Sequence, residues 1–557
     1  MPESVPPPPA AAPPAPGAAA SRRELLRAAA VVGGASAGLL PAMTGLVPPG
    51  AAAAAPPRAR AGTGRDVIVL GAGIAGLTAA YELAELGYGV RVFEAQQRPG
   101  GRNLTARRGT VVTETGPGGT VRQTCAIDEG LYLNLGPGRL PHHHRRALRY
   151  CAELDVPLEP YVMQTRANLW QSPRGFAGRA RPHRQVDFDT RGHVAQLLVK
   201  ALRRGALDDE LDPREKAQLV ELLGAFGDLA PDGRYRGSTR AGLRRPLTVR
   251  STMEPNEPAL LADLLGGGFW RHQFFHGDDH LWQATMFQPV GGMDRIVDGF
   301  TRRLPGRIQY GAEATRITLL PDGVEVTVRQ NGSTSTHRAD HCLSNIPLPV
   351  LATIPANFSP GFAAAVAACR FAPTCKVGWQ ANRRFWESDD YQIYGGISWI
   401  DDPIDQVWYP SNDYFTGSGT LTGAYNRYEK ATAFGELSVA ERLRAARAAA
   451  ARLHPEFTDE SVVPTDRGVT IAWHRVPYQA GGWADWRDTP EHRLAYGRLL
   501  APDGRFFVIG DQVSPLPGWQ EGAMMSAEYV LGQLGGQERT APPTVRHAPD
   551  ARALTGG

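Results

Sequence analysis

One segment limits the possible folds more than any other: RDVIVLGAGIAGLTAAYELAELGYGVRVFEA, running from Arg65 to Ala95. An apolar run, Val67 to Leu70, meets a glycine turn, an alanine-rich stretch with helical spacing follows, and a second apolar run, Val90 to Phe93, ends at Glu94. That order is a βαβ unit, which demands parallel strands in an open sheet covered by helices. Within it Gly71 permits the tight turn, Gly73 lets the backbone approach a pyrophosphate, and Gly76 lets the helix pack on the strand. The first helical turn leaves N–H groups unpaired and favours negative charge there. Glu94, about twenty residues beyond the first glycine, stands where a carboxylate accepts the ribose hydroxyls of an adenosine. A dinucleotide is therefore the expected ligand.

Size and charge narrow the rest. A chain of 557 residues exceeds what one core can serve, so two or more packed domains are expected. Lysine plus arginine, 60, nearly balance aspartate plus glutamate, 56, which gives no general field for nucleic acid or a membrane surface. The five cysteines form no CxxC pair, so no structural metal and at most one incidental disulfide are expected. Before the βαβ unit, a proline- and alanine-rich stretch is followed by SRRELLRAAAVVGGASAGLLPAMTGL and then by AAAAA at 51–55. This resembles a twin-arginine export signal, and implies a secreted or periplasmic protein exported already folded. The competing reading is a membrane anchor, but Gly33, Gly34, Gly38 and Pro41 interrupt the apolar run, so no stable membrane span is expected.

The kind of dinucleotide follows from RPGGRNLT, Arg98 to Thr105, which sets Gly100, Gly101 and Arg102 directly after the second strand as a further phosphate-contacting loop. Together with PVGGMD (289–294), GAEATRI (311–317) and IGDQVSPLPGWQEGAMMSAEYVLGQL near the carboxyl end, in that order, it resembles the flavin-containing amine oxidase superfamily over almost the whole mature chain. The resemblance implies FAD. It also implies a cofactor set of Gly71, Gly73, Gly76, Glu94, Ala95, Gly101, Arg102, Gly136, Pro137, Gly138, Arg139, Ala314, Asp511, Gly518, Trp519 and Ala523. Glu94 would hold the ribose, Arg102 would lie near pyrophosphate and flavin, and Asp511 would make phosphate or ribityl contacts where the family more often has glutamate. Relatives with covalent flavin use a cysteine just before the last motif; DQVSPLPGW has none, so the flavin should be bound non-covalently. Gln520 to Ala523 open a helix whose amino terminus would stabilise negative charge on a reduced flavin.

The expected fold is α/β: a Rossmann-like, two-dinucleotide-binding FAD domain with a mixed-sheet substrate domain and a helical insertion. The FAD domain is assembled from 64–115, 285–345 and 496–540, the substrate domain from 116–180 and 346–495, and the helical domain from 181–284, between a leader (1–60) and a disordered tail (541–557). HVAQLLVKALRR and LDPREKAQLVELLGAF carry helical spacing, the latter opened by Asp212, Pro213 and Glu215 in capping positions. KVGWQANRRFW and GTLTGAY alternate as strands flooring a cavity do.

In that cavity the resemblance marks Lys376 as the lysine that reaches a water beside the flavin, and Tyr425 and Trp519 as walls; Trp483 and Trp486 are further wall candidates. LNLGPGRLPHHH, Leu133 to His144, allows three readings: a metal site, a basic loop, or an anion receptor. Three consecutive histidines cannot all face one point, and no carboxylate or cysteine stands at ligand spacing. A basic loop leaves the Gly136-Pro137-Gly138 turn unexplained. In L-amino acid oxidases such a turn holds an arginine that binds the substrate α-carboxylate, here Arg139. The resulting expectation is FAD-dependent oxidation of a small-molecule L-amino acid by molecular oxygen, in a homodimer. A tryptophan 2-monooxygenase-like decarboxylation to an amide and a non-catalytic flavin-binding protein stay open.

Overall fold

The computed structural model of the chain describes residues 64–116 and 118–534; the leader, its arginine pair and the tail lie outside the described residues. The βαβ unit forms strands Asp66–Leu70 and Gly89–Glu94 around the helix Ile74–Glu85. These strands sit in a five-stranded parallel sheet ordered Ile308–Tyr310, Gly89–Glu94, Asp66–Leu70, His341–Ser344, Phe506–Val508. Val67 and Val69 face a core shared with Leu77, Ala80 and Leu83, whereas Ile68 and Leu70 face another shared with Val324, Val326 and Phe506. One short apolar run therefore feeds two layers, because successive side chains of a strand point to opposite faces. The last helix, Gln520–Leu534, joins the first of these cores through Met524, Ala527 and Leu531 and packs on the helix Ile74–Glu85. The sheet grows in both directions from Asp66–Leu70, which makes that strand the switch point where a crevice opens beyond the carboxyl ends.

A second sheet has seven strands, ordered Arg181–Pro182, Leu169–Gln171, Ile397–Ile400, Gln406–Trp408, Gly419–Arg427, Thr374–Ala381, Gly468–Ala472. Its pairings are antiparallel except that of Leu169–Gln171 with Ile397–Ile400, so the sheet is mixed. The two segments that alternate in sequence are neighbours here, with Lys376 directly opposite Tyr425.

Helices His183–Leu202 and Pro213–Gly227 follow. The second begins with a complete capping box: the Asp212 carboxylate accepts from the Arg214 and Glu215 N–H groups, and Glu215 accepts from the Asp212 N–H. The first starts at His183, well before the segment that the spacing marks, because its amino-terminal half buries carboxylates beside a single apolar side chain, Val186. Asp187 pairs with Arg166 and Arg191, and Asp189 accepts from the Tyr235 hydroxyl and the Ala259 N–H. Trp170, Phe176, Phe269, Phe274 and Trp399 form an aromatic core that fastens this region to the second sheet. No helix among the described residues is long and apolar enough to cross a membrane. All five cysteines are free and buried.

Candidate active site

A cavity of about 550 Å³ is lined by the strand ends Leu70, Glu94 and Asn345 and by Lys376, Trp408 and Tyr425 of the second sheet. Every residue marked in the sequence as a site candidate lines it except Gly76. A Cβ on Gly76 would stand 2.0 Å from the Gly71 carbonyl oxygen, so its role is to let helix and turn touch, not to meet a ligand.

The end nearest the parallel sheet is built from backbone. The two glycine loops are tied together by the Gly100 N–H donating to the Ala72 carbonyl at 2.8 Å, and the Gly71 N–H donates to the Phe93 carbonyl at 2.8 Å. Glu94 is buried at the strand end and accepts from the Ala72 N–H at 2.7 Å and the Gln96 N–H at 2.8 Å. Burial raises its carboxyl pKa, against the pull of those two bonds. The Asp511 carboxylate takes the Arg102 guanidinium on both oxygens and the Gly518 N–H at 2.7 Å. Asp511 and Arg102 both line the cavity, and the Asp511 oxygens brace Arg102 there. Glycine-lined turns, Arg102, and the amino termini of helices Ile74–Glu85 and Gln520–Leu534 suit a pyrophosphate and an anionic ring. No cysteine or histidine is in the lining to tether one covalently.

The other end is built from side chains. A Cβ on Gly136 would lie 1.9 Å from the Arg102 carbonyl oxygen, so the Gly-Pro-Gly turn is glycine-rich because it presses against the loop carrying Arg102. That contact sets Arg139, 8% exposed, with its guanidinium 4.4 Å from the Trp282 ring centre, 4.8 Å from Trp408 and 5.7 Å from Trp519. Its Nε has no hydrogen-bond partner. Burial lowers its pKa, and the groups acting on it are Tyr161, Tyr425 and Arg427, with no carboxylate among them. A buried cation without a counter-charge is costly unless a ligand supplies one.

Lys376 donates from Nζ to the carbonyls of Gly136 at 2.5 Å and Asn134 at 3.2 Å and sits 4.3 Å from the Trp408 ring centre. Burial first, and the charge of Arg139 second, bring its pKa down to about 7. It can therefore hold or release a proton near neutrality. Burial pushes the Tyr425 phenol up to about 12, leaving it a neutral hydrogen-bond donor. Trp483 and Trp486 also line the cavity.

The histidine run is divided by its surroundings. His144 is fully buried edge-on to Trp519, at 4.8 Å between ring centres, and burial brings its imidazole down to about 3. His143 stacks on His280 at 4.9 Å. Among the described residues no group of three or more His, Cys, Asp or Glu could hold a metal ion.

Trp282, Trp408, Asn345 and Arg427 also line the cavity and were not marked in the sequence. Trp408 shares a strand face with Gln406, whose amide oxygen accepts its indole N–H at 2.5 Å, and that alternation is the one local signal available. Trp282 lies in a short turn with none.

Residues 74–530 match the family described as flavin containing amine oxidoreductase. A flavin-dependent L-tryptophan oxidase of Lentzea aerocolonigenes is 28% identical over 488 residues, covering 83% of this chain and 96% of that protein. An L-amino-acid oxidase of Echis ocellatus is 23% identical over 477 residues, covering 83% and 87%. Among solved structures, a putrescine oxidase bound to putrescine matches with a TM-score of 0.54 at 19% identity, covering 85% of this chain and 99% of that one, a likeness of fold. The chain therefore belongs to the flavin-containing amine oxidase family, with FAD, held non-covalently, as its cofactor.

Proposed function

We propose that the protein oxidatively deaminates an L-amino acid, using molecular oxygen, to a 2-oxo acid, ammonia and hydrogen peroxide. The observation that carries this reading is the buried Arg139 guanidinium, without a carboxylate partner, in an aromatic cage on the cavity wall. A primary amine substrate would leave that cation unpaired, whereas an α-carboxylate would supply two parallel charge-assisted hydrogen bonds. Tyr425 donates a third bond from its neutral phenol. FAD, when bound among the glycine loops and Arg102, would supply the acceptor for the hydride on the substrate Cα and the reduced ring that oxygen reoxidises. Lys376 in its neutral form takes a proton from the substrate ammonium or from a water beside it, and the indole rings exclude bulk water. The similar L-tryptophan oxidase and L-amino-acid oxidase support this choice over an amine.

The test compares an L-amino acid with its decarboxylated amine by anaerobic flavin bleaching, followed by product identification. Two bonds at about 1.5–3 kcal/mol each make Arg139→Ala cost about a thousandfold in kcat/KM for the acid. The wild type should prefer the acid strongly and Arg139→Ala should lose most of that preference. Retention of it would place the carboxylate elsewhere, and an amide product would replace deamination by decarboxylation.

We also propose export by the twin-arginine route, on the paired Arg22 and Arg23 before a short apolar segment. Replacing both by lysine should retain folded holoenzyme inside the cell; normal export of that variant would remove the proposal.

A further inference from the structure

Besides Arg102 among the glycine loops, two arginines, not one, line the cavity. Arg427 lies on the strand Gly419–Arg427 two residues beyond Tyr425, so both side chains leave the same face, and both line the cavity. The Arg427 side chain is 15% exposed and its Nε has no hydrogen-bond partner. Nη1 donates to the Gln273 amide oxygen at 3.0 Å. Its nearest carboxylate, Asp405, is 4.0 Å from Nε, while Lys430 holds that same carboxylate at 2.8 Å. The charge of Arg427 reaches Arg139, on which it acts as a like charge. Directly after it, Tyr428 is held in the left-handed region at φ 50°, an unfavourable conformation for an aromatic residue, and its side chain lines the same cavity. Strain of this kind persists where the surroundings over-determine a geometry, and it clusters at ligand sites.

We infer that Arg427 is a specificity-determining residue that receives a carboxylate on the substrate side chain, so that the preferred substrates are acidic L-amino acids. This rests on the α-carboxylate reading of Arg139. Aromatic walls suit any apolar side chain, but they do not account for a second largely buried guanidinium with an unpaired Nε–H. An acidic side chain supplies both the charge and the acceptors. Two residues along a strand set the bases of Tyr425 and Arg427 about 6.6 Å apart, and the two carboxyl carbons of an extended five-carbon amino diacid, separated by four C–C bonds of about 1.5 Å, lie about 5 Å apart. The two lengths are close enough for one molecule to meet the Tyr425 phenol with its α-carboxylate and Arg427 with its side-chain carboxylate.

The experiment measures anaerobic flavin bleaching of the holoenzyme by L-glutamate, L-aspartate, L-glutamine, L-leucine and L-phenylalanine. L-Glutamate should exceed L-glutamine in kcat/KM by at least tenfold, and in Arg427→Met that ratio should fall to about one, with Arg427→Lys between the two. Bleaching by neutral amino acids with the acidic ones no better overturns this inference alone and leaves the α-carboxylate reading intact, whether or not any variant folds. An unchanged glutamate-to-glutamine ratio in Arg427→Met overturns it as well. Bleaching by amines and by no L-amino acid overturns the reading of Arg139, and this inference with it.

Discussion

The two ends of the cavity are made of different material. At the parallel sheet the polar groups are mostly backbone, and most are closed on one another: Gly71 on Phe93, Gly100 on Ala72, Asn345 on Leu70, with Arg102 braced by Asp511 and, among the described residues there, only the Asn103 and Gln520 amides left with unpaired atoms. At the second sheet they are side chains, and several are left open, including the Nε atoms of Arg139 and Arg427. Buried polar atoms are rarely left unpaired, and at the open end the unpaired atoms belong to cations, which an anionic ligand would complete. The closed end is a mould whose tolerance is steric. The open end selects by charge.

That contrast breaks most visibly at Gly76. Any side chain there meets the Gly71 carbonyl, so Gly76→Val should yield no holoenzyme, read as flavin absorbance per protein after purification. A yellow variant would show that the mould is softer than its contacts imply. Next in size is the thousandfold loss for Arg139→Ala, in which flavin content should survive because the arginine stands outside the glycine loops. Arg139→Lys should restore less than half of that loss in free energy, since a point charge cannot reproduce the planar fork.

Lys376 gives a smaller and pH-dependent effect. With its pKa at about 7, the ammonium loses its proton as pH rises through that value, so the rate of flavin reduction should rise through about pH 7 and level off above it. Lys376→Met should lower the plateau about a hundredfold and abolish the step. The same step in the variant would assign the titration to another group. The mildest change is Asp511→Asn, which keeps an acceptor for the Gly518 N–H but removes the charge that braces Arg102. FAD affinity should weaken about tenfold, measured by titrating apoprotein, with the acid-to-amine preference unaltered. A loss of that preference would mean that the two ends are not separable.

Legibility in the sequence follows the same division. The strand, glycine turn, helix and acid of Arg65 to Ala95 are contiguous and obey local periodicities, and the strands and helix appear where the pattern puts them. The capping box at Asp212 is equally local. The helix His183–Leu202 was only half visible, because its buried carboxylates are satisfied by Arg166, Tyr235 and Ala259, partners that no periodicity displays. Trp282 and Trp408 reach Arg139 from a turn in the helical region and from a short strand of the second sheet.

By itself, then, the sequence determined the nucleotide-binding βαβ unit, the two glycine loops and the presence of a Gly-Pro-Gly turn before Arg139, since each is a pattern over a few residues, whereas the contact of that turn with the Arg102 loop is tertiary. Only the tertiary structure decided that Asp511 braces Arg102, that Lys376 faces Tyr425 with its pKa lowered by burial and by Arg139, and that Arg427 shares their cavity. Those facts depend on strand register and on desolvation by distant segments, and neither exists until the chain has folded.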